Sequence, residues 1–158
     1  MPEQPSPSDV RASLIKYAAF CLSRRPYFEE TIRQKLILRS KKLKFIDSTS
    51  IISDILKDLK KSGYLDDVYL AQAYVRRQLD KCYGPRIISL KLSRLKLDRE
   101  TISLALEEAS IEKQVEAIKK YSRKYPRLDK FKITSKLFGR GFASTAIKRL
   151  FDVECLED

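Results

Sequence analysis

The stretch Gly63-Tyr64-Leu65-Asp66-Asp67, with Ala71, Tyr74-Val75-Arg76-Arg77 and Tyr83-Gly84-Pro85-Arg86 after it, carries the densest local signals in the chain. Gly63 closes a helix, because glycine enters the left-handed region without a Cβ penalty. Asp66 caps the next helix, accepting from its unpaired N–H groups and complementing its dipole. Leu65 and Leu70 bracket that cap as a hydrophobic staple. Ala71, Val75, Leu79 and Cys82 then recur at i, i+4, i+8 and i+11, the buried stripe of one helix. Gly84-Pro85 turns the chain, with proline at the first position of the following helix, where its missing N–H is not needed. Capping and packing account for Gly63, Leu65, Asp66 and Pro85. They do not require the charges of Arg76, Arg77 and Arg86 or the ring of Tyr83.

Working outward, the same grammar repeats. Lys-Leu occurs at Lys35-Leu36, Lys91-Leu92 and Lys136-Leu137, each with a proline upstream at Pro26, Pro85 and Pro126. From Leu92 the next apolar anchors are Leu97, Ile102 and Leu106, and from Leu137 they are Phe142, Ile147 and Phe151, identical offsets of 5, 10 and 14. From Leu36 they are Ile46, Ile51 and Ile55, so the first copy holds five extra residues, read as a basic insertion on a loop near 41–45. Ile46-Asp47-Ile51 and Leu97-Asp98-Ile102 repeat the staple-and-cap pattern of Leu65-Asp66-Leu70. The third copy has Ala143 at the cap position, which passes the role to Ser144. Residue 82 is expected to stay helical, and Tyr64, Tyr74 and Phe142 to pack, while Tyr83 is the aromatic expected to be exposed.

These signals predict an all-α fold, an elongated array of three tandem three-helix, helix-turn-helix-like repeats. Residues 1–8 form a Pro/Ser-rich disordered lead-in, 9–63 the first repeat, 64–110 the second, 111–152 the third and 153–158 an acidic tail. Helices are expected near 10–24, 28–40, 48–62, 67–82, 85–95, 99–109, 111–124, 129–138 and 144–152.

Composition bounds the function. Among 158 residues there are 33 Lys and Arg against 21 Asp and Glu, a net charge of +12, and no histidine. Without imidazole there is no Ser-His-Asp or Cys-His chemistry and no metal site with a His ligand. Cys21, Cys82 and Cys155 are far apart and outside any CxxC spacing, so neither a disulfide framework nor a zinc ribbon is expected. Gly139-Arg140-Gly141 lacks the GxGxxG pattern and a preceding strand. Asp66-Asp67 is explained by capping, so no metal, cofactor or catalytic residue is assigned and the chain is read as a non-enzyme. No signal peptide or membrane-length apolar run is legible, which places the protein in the cytoplasm.

The basic residues are grouped. Arg33, Lys35, Arg39, Lys41, Lys42 and Lys44 form one run without an acid. Arg76, Arg77, Lys81, Arg86, Lys91, Arg94 and Lys96 stand against Asp80 alone, and Lys119, Lys120, Arg123, Lys124, Arg127, Lys130 and Lys132 against Asp129 alone. Recurring in successive repeats, they suit a polyanion. Arg86, Leu90 and Arg94 share one face of the helix after Pro85, a semi-polar contact surface.

The spacing GYLDD…A…YVR…YGP…I…L resembles the RecX family of bacterial recombination regulators, most specifically between Gly63 and Leu97 and more loosely over about residues 10–152. The resemblance implies a curved array of three helical repeats that binds RecA filaments on single-stranded DNA and modulates, usually inhibits, their strand exchange, ATP hydrolysis and coprotease activity. It implies a monomer acting by occupancy, with weak direct DNA contact and no membrane. The candidate contact residues are Arg76, Arg77, Tyr83, Arg86 and Arg94, and the motif residues Gly63, Tyr64, Leu65, Asp66, Asp67, Gly84 and Pro85 are structural. Cys82 and Lys96 depart from the family pattern, which has glycine at both places. The competing reading is an autonomous helix-turn-helix-like DNA-binding regulator, with a helical adaptor for an acidic protein as a third.

Overall fold

A computed structural model describes residues 6–45 and 47–154, and of residues 153 and 154 the backbone alone. Within these residues the chain forms nine α-helices and no strand: α1 (Pro7–Arg24), α2 (Glu29–Lys42), α3 (Thr49–Lys61), α4 (Asp67–Asp80), α5 (Pro85–Arg94), α6 (Arg99–Leu106), α7 (Ile111–Arg123), α8 (Lys130–Gly139) and α9 (Ser144–Glu154). They divide into two compact units, residues 1–70 and 71–158.

The first unit is built on α1, α2 and α3, each of which touches the other two. Val10, Leu14, Ala18 and Cys21 of α1 meet Ile32 and Leu36 of α2 and Ile52, Ile55 and Leu56 of α3, and Leu65 closes the cluster. Leu14, Ala18, Cys21 and Leu22 recur at i, i+4, i+7 and i+8, a helical stripe legible in the sequence, and the first three lie in the core with Leu22 at its edge. Helix α1 starts earlier than expected. Ser6 accepts from the Asp9 N–H and Pro7 takes the first helical position, so Pro7 and Ser8 belong to the helix. Residues 1–5 lie outside the described residues.

Most of the five extra residues of the first repeat are helix, not loop. Helix α2 has 14 residues where α5 and α8 have 10 each, so four of the five add one helical turn, and Lys41 and Lys42 are helical. The anchor Ile46 lies outside the described residues. Asp47 is not the cap of α3; Ser48 is, and its buried hydroxyl lies 2.8 Å from that of Ser40. In α9 the missing cap is replaced from another helix, since Gln114 of α7 accepts from the Ala143 N–H through Oε1 (3.1 Å) and Ser144 is not used.

In the second unit α5 packs on α6, and α9 packs on α7 and α8. Ala71, Val75, Leu79 and Cys82 are all buried, as the stripe requires. Cys82 nevertheless leaves the helix, with φ +58°, while Tyr83 N–H donates to the Gln78 carbonyl and Cys82 N–H to that of Leu79. That is a Schellman ending, which needs a left-handed residue, a role glycine fills without a Cβ penalty. Lys96 (φ +61°) ends α5 in the same region. The expected tail begins inside α9, which runs to Glu154, and Cys155 and the acidic residues after it lie outside the described residues.

Candidate functional site

The candidate residues sit on α4, α5 and the turn between them. Asp66 caps α4 by accepting from the Tyr69 N–H (2.9 Å). Asp67 reaches a different helix and accepts from the Glu29 N–H at the start of α2 (2.9 Å). Burial raises the Asp67 carboxyl above the usual range. Both carboxylates are thus engaged at helix starts. Leu65 is buried, but Tyr64 is 68% exposed, contrary to its expected packing role: the left-handed Gly63 swings the ring out of the core as the helix ends.

The five candidate contact residues divide by what they already touch. Arg76 is exposed and pairs with Glu108 at 3.1 Å. Glu108 also takes Lys113 at 2.9 Å, and the hydrogen bond from Lys113, with that from Arg76, holds its carboxyl below the ordinary value. Arg77 is exposed and lies over the Tyr74 ring at 6.0 Å. Arg94 is exposed on α5 with no ion pair among the described residues, beside Leu90, which is 54% exposed. Tyr83, expected to be exposed, is half-buried between two cations: Lys91 Nζ is 3.6 Å and the Arg140 guanidinium 4.4 Å from its ring centroid. Lys91 is itself held by Gln78 Oε1 at 2.8 Å. Arg86 donates through Nη2 to the Phe138 carbonyl (3.0 Å).

Sequence reasoning missed Arg140, which organises this neighbourhood. Its Nε donates to the Cys82 carbonyl and its Nη2 to that of Lys81 (2.8 Å), and its guanidinium also covers Tyr121 at 4.7 Å. Burial raises the Tyr121 phenol above its ordinary pKa. Main-chain bonds complete the junction: Gly84 N–H donates to the Arg140 carbonyl (2.8 Å) and Arg86 N–H to that of Gly141 (3.1 Å). The second of these satisfies an N–H at the start of α5 that has no partner within its helix. A Cβ at Gly84 would lie 2.2 Å from Phe142 N, and one at Gly141 2.7 Å from Ile87. The sequence signal for this contact was present in Gly139-Arg140-Gly141, where Gly141 serves close approach to Ile87 and Gly139 has open space around it. Tyr83 and Arg86 therefore hold the α4–α5 turn against the α8–α9 turn, while Arg77 and Arg94 present charge to solvent and Arg76, also exposed, is paired with Glu108.

This YGP turn, with its left-handed residue before Tyr83, occurs in a chain that resembles known proteins over most of its length. No protein-family model matches it. The regulatory protein RecX of Thermus thermophilus is 30% identical over 128 residues, covering 81% of this chain and 82% of that protein. The chain belongs to the RecX family. The regulatory protein RecX of Listeria welshimeri is 32% identical over 148 residues, covering 88% of the chain but 52% of the relative, so the chain spans about half the length of that RecX. The crystal structure of RecX from Lactobacillus salivarius superposes with a TM-score of 0.78 over 94% of this chain and 99% of that one, at 23% identity. At that identity the likeness carries the all-helical RecX fold and no more. Among the described residues no helix is long and apolar enough to cross a membrane.

Proposed function

We propose that this chain regulates the RecA recombinase by binding the RecA–DNA filament and suppressing its ATPase, strand-exchange and coprotease activities. The observation that carries the reading is the 30% identity to a regulatory protein RecX across 82% of that protein's length. Exposed positive charge on α4 and α5 supports it, since a nucleoprotein filament is a polyanion and long-range attraction raises encounter rates. Arg76, Arg77 and Arg94 make the contact, and Tyr83 and Arg86 shape the surface that carries it. The chain acts as a monomer, by occupancy and without a cofactor, in the cytoplasm where the filament forms.

The test adds the purified chain, at substoichiometric amounts, to RecA on single-stranded DNA and follows ATP hydrolysis and strand exchange. Both fall if the proposal holds, and Arg77→Glu/Arg94→Glu relieves the inhibition while leaving the thermal midpoint in place. No effect of the parent chain at any ratio overturns it. A sequence-selective DNA affinity that survives moderate salt would instead support an autonomous DNA-binding regulator.

A further inference from the structure

A hollow where α7, α8 and α9 meet has no part in the contact assigned to α4 and α5. Its volume is about 260 Å³, and Tyr125, Leu128, Ile133, Leu150 and Phe151 form its walls. Helix α9 packs on both α7 and α8, which brings its last residues to the connection between them. Pockets for drug-sized ligands begin at about 300 Å³, so this one suits a single large side chain.

Two polar groups interrupt the apolar walls. Lys130 is exposed, with Nζ 4.5 Å from the Phe151 ring centroid. The hydroxyl of Ser122 is the one side-chain polar atom among the described residues that is buried without a hydrogen-bond partner. Leaving a buried hydroxyl unpaired is costly, and a polar group arriving from outside would relieve that cost. Arg123, Lys124 and Arg127, beside the wall residues in sequence, are exposed with no ion pair among the described residues.

Together these features select an occupant. An apolar side chain fills the hollow, a main-chain carbonyl beside it accepts from Ser122, and neighbouring carboxylates meet Lys130 and the basic residues before it. A nucleic-acid base fits poorly, because Ser122, Tyr125 and Lys130 are too few polar groups to satisfy the several donors and acceptors of a buried base edge. We infer that the hollow is a docking site for an acidic segment of a protein partner, seated by one leucine-sized side chain flanked by carboxylates. The contact is separate from the one proposed for the RecA filament and does not depend on it.

The experiment measures fluorescence anisotropy of a labelled peptide, glutamates around a central leucine, with the full chain and no recombinase. Alanine in place of the peptide's leucine should weaken binding about 10- to 100-fold, the range for burying one such side chain. Ser122→Ala should weaken it about 2- to 10-fold, the range for one hydrogen bond, while the thermal midpoint of the free chain stays level or rises because the orphaned hydroxyl is gone. Lys130→Gln should weaken it about 2- to 5-fold, as for an exposed ion pair. Absence of binding by the parent chain overturns the inference, as does equal binding of the alanine peptide, which would leave only attraction to the positive field. Parent-like affinity in Ser122→Ala also overturns it. If Leu156→Ala in the chain tightens peptide binding about tenfold, the occupant is the chain's own acidic segment and the partner falls away. Because no recombinase is present, failure of the regulatory proposal leaves these outcomes readable.

Discussion

The turn after α3 and the turn after α4 end their helices with the same backbone bonds, yet their glycines do different work. Gly63 has φ +75° and open space around it: a Cβ there would meet nothing within 4 Å. Its bonds are local, from Gly63 N–H to the Lys60 carbonyl and from Tyr64 N–H to that of Leu59. Gly84 has an ordinary φ of −86°, which any residue adopts, but its neighbours are the backbone of Gly141 and Phe142 at 2.2–2.3 Å from a Cβ. One glycine is required by conformation, the other by contact. Contact with backbone is the harder constraint, because a main-chain segment moves only with the helices attached to it, whereas a strained φ can relax locally.

Three substitutions sharpen this contrast. Gly84→Ala should have the largest effect, because the added methyl overlaps main-chain atoms: a loss of about 3 kcal/mol or more, at or beyond the upper end of overpacking costs, read as a lowered urea midpoint. A midpoint within error of the parent would mean that the two turns do not approach as described. Arg140→Gln should cost about 2 kcal/mol, the scale of losing charge-assisted bonds to half-buried carbonyls. It should also alter the tyrosine near-UV signal, since Tyr83 and Tyr121 both lose their cation. Gly63→Ala should be mildest, about 1–2 kcal/mol from left-handed strain alone. If Gly63→Ala proves costlier than Gly84→Ala, conformation rather than contact governs both turns.

The α4–α5 region also shows why candidate contact residues need three dimensions. Its sequence has a tyrosine and three arginines left over after capping and packing. Two of them, Tyr83 and Arg86, are taken up by partners some fifty residues away in sequence: Arg140 covers the ring and Phe138 accepts from the guanidinium. No local rule anticipates such a pairing, because it depends on which turns the folded helices bring together. Phe131 is the converse case, 83% exposed at the start of α8. An aromatic at a helix start reads as a packing residue until its neighbours are known, and here Ile133 and Leu137 alone face the core.

Periodicity, caps and turn residues determined the helices, the buried stripes of α1 and α4 and the approximate repeat of the pattern, because these depend on interactions within a few residues along the chain. They also exposed the five-residue difference of the first repeat, though not that a helix absorbs four of them. Whether an insertion extends a helix or a loop depends on what the extra turn packs against, and Ser40 in that turn is buried against Ser48. Tertiary structure alone decided the left-handed backbone at Cys82, the borrowed cap on α9 and the lock between the two turns. Each rests on a group from elsewhere in the chain satisfying a backbone donor or acceptor that its own helix leaves unpaired.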